Sequence, residues 1–218
     1  MSFYKLYDFL RELQKNNSKE WMDEHRSYYH EIRDFYIDWL NQMDMKLADV
    51  DPDYHPTTVK KAINRINNNL LYHPNKPIYK DHFGAGLDVA PNHGDFYIHL
   101  GTSESFIAGG FYKPKNELLH SIRQALDYNG EEFIEILEKP SFKEKFGSLI
   151  DDGDSLKTAP KGFSQEHRYI ELLRMKSFAV QYDLTQKIVT GDDFEKIVID
   201  VYKEMLPFRN YLNQAVSV

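Results

Sequence analysis

The sequence contains no cysteine, and this absence excludes disulfide bonds, thiolate catalysis and zinc sites built on sulfur. Because it fits a reducing compartment, we expect a cytoplasmic protein. The chain also lacks any apolar run approaching the roughly 20 residues that a membrane helix needs. Its first residues, MSFYKLYDFLRELQ, carry charges every few positions and do not resemble a secretory signal. We therefore expect a soluble protein that does not engage a membrane.

The sequence motifs of the common enzyme classes are missing as well. There is no GxxxxGK[ST], GxSxG or HExxH, and Gly84 and Gly86 stand without the third glycine of GxGxxG. His82, His93 and His99 could converge on a metal ion, but metal sites usually add a close carboxylate or paired histidines on one element. We predict neither a metal site nor a cofactor.

Aspartate and glutamate are absent from residues 54–80, although the formal net charge of the whole chain is −7. The formal charge of this acid-free run comes from Lys60, Lys61, Arg65, Lys76 and Lys80. Such a composition indicates a preference for anions. The acidic total, with a pI near 5.7, argues against bulk binding of nucleic acid, which usually leaves a basic footprint over a whole face.

Helical patterns lead the chain. Apolar residues recur with helical spacing over residues 3–15 and again over 32–47. Between these runs, Asn17 with Glu20 three positions later forms a capping pattern for a further helix. Trp39 lies on the apolar stripe of the second run, and we predict that it belongs to the core.

Helical patterns also occupy the later part of the chain, over residues 114–147 and near the carboxyl end. Asp192 with Glu195 forms a capping pattern for the final helix. Pro207 falls inside that helix, and we expect it to kink or interrupt the helix there.

The middle of the chain changes to the period of two that is typical of strands. Residues 95–100 alternate polar and apolar side chains, and residues 104–112, ESFIAGGFY, form a second extended segment after a short turn. Residues 86–91 predict a third strand, and residues 174–182 predict a fourth.

Strands clustered in the centre, with helices on either side, indicate the α+β class rather than alternating βαβ units. We predict a single domain over residues 1–218, with a mainly antiparallel central sheet and helices from both chain ends packed on it. The acidic loop at residues 151–154 is a candidate boundary, and we place none there.

The alternation in residues 95–100 sends Tyr97 and His99 to one face and their apolar neighbours to the other. A tyrosine and a histidine side by side can donate, accept and shuttle protons near neutral pH. The same pattern also suits an ordinary solvent-exposed face, and both interpretations stay open.

A second basic loop covers residues 157–168, KTAPKGFSQEHR, where Lys161 and Gly162 could present an ammonium and a backbone N–H to an anion. Lys176 shares its strand parity with Phe178, so its charge points with apolar neighbours. Either a functional role or the reach of a long side chain to solvent explains that position.

Four motifs occur here in the order found in a bacterial family of uncharacterised proteins, domain of unknown function 2461. They are FLRELQKNNSKEW; Arg65-Ile66-Asn67 followed by Asn75-Lys76 and Tyr79-Lys80; Gly109, Gly110, Pro114, Leu118 and Arg123; and Pro160, Lys161, Gly162, Phe163, His167, Leu172, Leu173, Arg174 and Lys176. The chain resembles this family over nearly its whole length. The resemblance implies a fold and candidate residues but no reaction.

One cluster departs from the family pattern. Where the family usually reads Arg-Asp-x-Arg-Phe, this chain has Asn68, Asn69, Leu70, Leu71 and Tyr72. A carboxylate–guanidinium network is therefore lost. If that network is catalytic in relatives, activity is in doubt here, whereas neutral hydrogen bonds from asparagine could replace a structural role.

Two functions follow from these observations. The first is a pocket for a small phosphate- or carboxylate-bearing ligand, whether or not it is catalytic. Its ligand-binding candidates are Arg65, Lys76, Lys80, Arg123, Lys161, Gly162, His167 and Lys176, and its candidates for proton transfer are Tyr79, Tyr97 and His99. The second is a non-catalytic module whose segment 54–80 contacts a protein or nucleic-acid partner. An alternative for the cations is an internal salt-bridge network with Asp88, Asp95 or a C-terminal helix.

Overall fold

The computed structural model describes residues 1–57 and 62–216. Four strands form one antiparallel sheet, and helices both precede and follow it in the chain, which confirms the predicted single α+β domain. Contacts within the chain group into two compact units. The first unit comprises Met1–Asp88, Tyr97–Ile107 and Asp183–Ile199, and the second comprises Val89–Phe96, Ala108–Tyr182 and Asp200–Val218.

The helices of the described residues are α1 Phe3–Lys15, α2 Lys19–Glu24, α3 Arg26–Ala48, α4 Asn116–Glu138, α5 Pro140–Phe146, α6 Ile170–Arg174, α7 Gln186–Val189 and α8 Phe194–Val216. Ser18, rather than Asn17, caps α2, because its hydroxyl accepts a hydrogen bond from the Trp21 backbone N–H at 3.1 Å. Helix α8 continues through Pro207, so the predicted interruption is wrong.

The strands are β1 His82–Leu87, β2 Asp95–Gly101, β3 Ser105–Phe111 and β4 Phe178–Asp183, and they lie side by side in that order. The strand predicted at 86–91 begins earlier and ends at Leu87, because Asp88 adopts a positive φ of 54° that leaves the extended conformation. Antiparallel bridges join Ile63 to Ala85 and Asn67 to Tyr79. Ile63, from the acid-free run, therefore pairs with β1, and Asn67 pairs with Tyr79 shortly before β1 begins.

The core of the first unit is aromatic. Trp39 is 6% exposed, and its ring stacks on Phe194 with centroids 5.1 Å apart and an interplanar angle of 3°. The prediction that Trp39 belongs to the core is confirmed. Tyr36 and Phe83 pack edge to face beside it, so the apolar face of β1 is covered by α3. This leaves the opposite face of the strand, with His82 and Gly84, for polar groups.

The second unit has an aromatic core of its own, in which Phe133 contacts Phe178, Phe208 and Tyr211. Helix α4 loses helical geometry at Asn129, whose φ is −140° and ψ is 46°. The Asn129 carbonyl freed there accepts a hydrogen bond from the Tyr211 hydroxyl at 3.0 Å. The acidic loop at residues 151–154 lies inside this unit.

Candidate functional site

His99 lies in β2 with its ring between two others. It stacks on His82 with centroids 4.0 Å apart and on Phe106 with centroids 4.6 Å apart. The residue is 8% exposed, and its ring nitrogens make no hydrogen bond to any of the described residues. Burial lowers the pKa of His99 to about 4, helped by His82 and Lys80 and opposed by Asp81. The imidazole is therefore neutral at pH 7.

Tyr97 shares this face of the sheet, as the alternation of β2 predicts, with its ring centroid 6.1 Å from that of His99. Its phenol crosses directly over Gly84 in β1, since a Cβ at Gly84 would lie 2.1 Å from the Tyr97 hydroxyl oxygen. The Asn64 amide donates a long hydrogen bond of 3.4 Å to that hydroxyl. Burial raises the pKa of Tyr97, so the phenol stays protonated at neutral pH.

Asp81 and Ser103 orient the ring of His82. The His82 Nδ1 lies 3.0 Å from Asp81 Oδ1, and the Ser103 hydroxyl donates to Asp81 Oδ2 at 2.7 Å. Burial raises the pKa of Asp81, but the hydrogen bonds from His82 and Ser103 outweigh it and hold that pKa below its usual value. The carboxylate is ionised and can only accept, so Nδ1 of His82 carries the hydrogen.

Sequence reasoning missed Asp81 and Ser103 altogether and treated His82 only as a metal candidate. The signal was the position of Asp81, the first acid after the acid-free run, next to a histidine that begins a strand. An isolated acid beside a histidine is a pattern that orients one imidazole tautomer.

Lys80 is the last residue of the acid-free run and directly precedes Asp81 and His82. Its ammonium donates to the Arg65 carbonyl at 2.7 Å, and its backbone N–H donates to the Ile66 carbonyl at 2.8 Å. Burial lowers the pKa of Lys80, and the charges of Arg65 and Lys76 lower it further. Three of the predicted cations thus lie close together. Lys60 and Lys61, from the same run, lie outside the described residues.

No carboxylate of the described residues forms an ion pair with Arg65, Lys76 or Lys80. Asp88, one of the acids considered as an internal partner, contacts His55 instead, and its Oδ1 accepts from the His55 backbone N–H at 2.8 Å. Among the residues that the structure describes, Lys80 therefore has a carbonyl for a partner but no countercharge.

Tyr79 precedes this lysine and has a structural position. Its ring is buried, and its peptide groups are held by Asn17, whose amide oxygen accepts from the Tyr79 N–H at 2.9 Å. The Asn17 amide nitrogen donates to the Tyr79 carbonyl at 3.0 Å. This pairing fixes the backbone next to Lys80, and proton transfer by Tyr79 stays a prediction.

The other five predicted ligand-binding residues belong to the second unit: Arg123, Lys161, Gly162, His167 and Lys176. Both ring nitrogens of His167 are already engaged. Nε2 donates to Asp127 Oδ1 at 2.9 Å, and Nδ1 accepts from the Tyr169 backbone N–H at 3.0 Å. His167 thus ties α4 to the loop before α6, which is a structural role.

The remaining residues of that group have varied surroundings. Arg123 donates to the Met175 carbonyl at 3.0 Å, and burial lowers its pKa. Lys176 lies 3.9 Å from Asp154, before β4 begins rather than inside it. Gly162 has a φ of 96°, which favours glycine, and Lys161 beside it forms no ion pair with a described residue. Their binding roles stay predictions.

Over residues 1–57 and 62–216, no group of three or more histidines and carboxylates could hold a metal ion. No helix in those ranges has the length and apolarity to cross a membrane.

Comparisons with curated proteins and with solved structures each found no match. A family model described as conserved hypothetical protein (DUF2461) matches residues 5–211 of the 218. The match covers nearly all of both units and includes every residue of the polar face around Lys80 and His99. The chain therefore belongs to the family of domain of unknown function 2461.

Proposed function

We propose that the first unit binds a small anionic ligand bearing a phosphate or a carboxylate. The ligand lies at a cluster called here the Lys80 site, which comprises Arg65, Lys76, Lys80, His82 and His99. One observation carries the proposal: three neighbouring cations have no carboxylate partner among the described residues, and the Lys80 ammonium is held in place by the Arg65 carbonyl at 2.7 Å. Charge-assisted hydrogen bonds from lysine and arginine are the usual means of binding such anions.

His99 supports the same proposal. The ring nitrogens of His99 form no hydrogen bond to the described residues, and they are not among the buried side-chain atoms there that lack a partner, so they are open to a ligand. Because Lys80 acts on the pKa of His99, the two groups lie within electrostatic reach of each other. A ligand held by Lys80 would supply the missing partner. We propose no reaction at this site. We also propose that the protein is cytoplasmic.

Isothermal titration with inorganic phosphate tests this function. The Lys80→Met variant keeps the apolar stem and removes the charge, and we expect its affinity to fall about 10-fold or more, since charged hydrogen bonds contribute about 1.5–3 kcal/mol. Lys196→Met, at an exposed position of α8, makes the same change in net charge and should bind as the wild type does. If both variants lose the same phosphate affinity, the loss comes from the change in net charge, and binding at the Lys80 site is overturned.

A second candidate function is a docking module, and one observation favours it. Leu71 and Tyr72 are 84% and 74% exposed, and they lie side by side at the tip of the acid-free run. Large apolar side chains exposed together often mark contact surfaces for proteins. The double variant Leu71→Ser/Tyr72→Ser separates the two functions. Phosphate affinity should be unchanged, because these side chains are not part of the Lys80 site, and a loss of phosphate binding would show that the tip forms part of it.

A further inference from the structure

The ring of His82 presents a hydrogen-bond acceptor at the Lys80 site. Asp81 accepts a hydrogen bond from His82 Nδ1 at 3.0 Å and another from the Ser103 hydroxyl at 2.7 Å. The carboxylate therefore fixes the orientation of the His82 ring through Nδ1. In the neutral imidazole one nitrogen carries the hydrogen and the other carries a lone pair. Because Nδ1 carries the hydrogen, the lone pair is on Nε2. No described residue donates a hydrogen bond to that atom.

Backbone hydrogen bonds hold the segment around His82 in place. Lys80 and His82 flank Asp81 in a stretch whose backbone pairs with the acid-free run, through Lys80 N–H to Ile66 and through Asn64 N–H to the Gly84 carbonyl at 2.8 Å. The Lys80 ammonium and the His82 ring both lower the pKa of His99, whose ring stacks on that of His82. An anion held by the Lys80 ammonium therefore lies near the rings of His82 and His99, where Nε2 of His82 is a hydrogen-bond acceptor.

We propose that the Lys80 site selects anions that carry a hydrogen-bond donor next to their negative charge, and that Nε2 of His82 is the atom that selects them. Hydrogen phosphate is the simplest such anion, because one of its oxygens bears a hydrogen. Sulfate has the same charge and shape in neutral solution but no hydrogen, so its oxygen lone pairs would face the lone pair of Nε2. This inference rests on the proposed function and specifies the ligand of that site.

Sulfate would leave Nε2 of His82 without the hydrogen bond that hydrogen phosphate donates to it. We therefore expect phosphate to bind about 10-fold more tightly than sulfate, or more. Asp81 and His99 contact the ring of His82, Ser103 bonds to Asp81, and Lys80 lies two residues before His82 in the chain. At about pH 8, on the alkaline side of the histidine range, Asp81 is ionised and His99 is neutral.

The test is isothermal titration of phosphate and of sulfate at about pH 8 and equal ionic strength. Wild type should prefer phosphate by the factor given above. His82→Phe keeps a ring against His99 but removes both nitrogens, and it should bind the two anions with similar affinity. His120→Phe, at an exposed position of α4, is the matched control and should keep the preference of the wild type. Equal binding of both anions by wild type, or an unchanged preference in His82→Phe, overturns the inference.

The same titrations separate a failure of the proposed function from a failure of this inference alone. If neither anion binds, the proposed function fails, and the inference fails with it. If both anions bind at the Lys80 site without discrimination, the function stands and only the inference fails.

A second measurement needs no variant: nitrogen-15 spectra of the wild-type imidazoles should show that Nδ1 of His82 carries a hydrogen and that Nε2 does not at about pH 8. The opposite tautomer would overturn the inference even in a protein whose variants do not fold.

Discussion

His82 and His99 stack with their ring centroids 4.0 Å apart and an interplanar angle of 27°. They lie on neighbouring strands and on the face that also carries Tyr97, so two imidazoles share one small surface beside Lys80. Two positive rings at this separation would repel each other. The arrangement therefore keeps at least one imidazole neutral and leaves the positive charge of the site to the lysines and Arg65.

The first prediction concerns the titration of His99. Burial holds its pKa at about 4 in the folded protein, below the usual value near 6.5. Between these values the unfolded chain binds a proton that the folded chain does not, so the free energy of unfolding should fall as the pH is lowered from about 6.5 to about 4. Proton NMR titration gives the pKa directly, and denaturant unfolding gives the trend.

The control for this titration is His120, which is exposed on α4. Removal of the buried group in His99→Phe should flatten the dependence of stability on pH within that window, whereas His120→Asn should leave it unchanged. A His99 resonance that titrates near the ordinary histidine value would contradict the burial of the ring at this site.

The second prediction concerns Asn17, whose side chain pairs with both peptide groups of Tyr79 at 2.9 and 3.0 Å. Asn17→Ala removes two hydrogen bonds and should lower the free energy of unfolding by about 2 kcal/mol. It should also weaken phosphate binding, because Lys80 follows Tyr79 directly. Unfolding in urea and phosphate titration measure the two effects.

Asn16 is the matched control for that variant. Its side chain donates to the Glu12 carbonyl at 3.0 Å in an exposed position, so Asn16→Ala should cost only about 0.5 kcal/mol and leave phosphate affinity intact. If the two alanine variants lose the same stability, the pairing of Asn17 with Tyr79 does not hold this segment in place.

The third prediction concerns Gly84, where a methyl group would overlap the Tyr97 hydroxyl at 2.1 Å and ring carbon Cζ at 2.9 Å. Gly84→Ala should lower the free energy of unfolding by about 1–3 kcal/mol, because the ring must move. In a Tyr97→Phe background the cost should be smaller, since the atom nearest the methyl group is gone. A double-mutant cycle measures this coupling, and purely additive losses would show that Tyr97 does not cross Gly84.

The fourth prediction separates the two tryptophans of the chain. Trp39 is buried and stacks on Phe194, so Trp39→Ala should lower the free energy of unfolding by about 3–5 kcal/mol. Trp21 is half-buried and stacks on His25 near the surface, and its alanine variant should cost less. Thermal unfolding of both variants decides the order, and a reversed order would mean that α3 is misplaced.

The sequence was most informative where one physical pattern acts alone. The alternation of β2 predicts that Tyr97 and His99 share a face, and they do. The helical stripe of Trp39 predicts its burial. Both follow from periodicity, which depends only on backbone geometry. The absence of acids over residues 54–80 likewise predicts cations without local partners, and Arg65, Lys76 and Lys80 have no carboxylate partner among the described residues.

Other features depend on contacts between distant parts of the chain and could not be predicted in this way. The sequence predicts that Asn17, three positions before Glu20, caps a helix. In the structure Ser18 is the cap, and Asn17 forms hydrogen bonds with the Tyr79 backbone. His167 is a predicted ligand-binding residue, although both of its ring nitrogens form hydrogen bonds, one with Asp127 and one with the Tyr169 backbone. In each case several partners satisfy the same side chain, and only the fold decides among them.

The positions of Asp88 and Pro207 show a second reason for error. A strand was predicted through Asp88 from its apolar neighbours, but the residue adopts a positive φ that aspartate tolerates better than most residues. Pro207 predicts a kink or an interruption in α8; the interruption is wrong, because the helix continues through Pro207 with its apolar residues buried. Tertiary packing here outweighs a local preference.

Anion binding at the Lys80 site is best tested with a crystal of the wild-type protein soaked in arsenate, which has the charge and the hydrogen of phosphate and is located by its anomalous scattering. We expect an anomalous peak with an oxygen near 2.7–2.9 Å from the Lys80 ammonium, a second oxygen within hydrogen-bond distance of His82 Nε2, and Arg65 or Lys76 close by. A site without arsenate, with Lys80 and Arg65 each paired to a carboxylate of the protein, would contradict it.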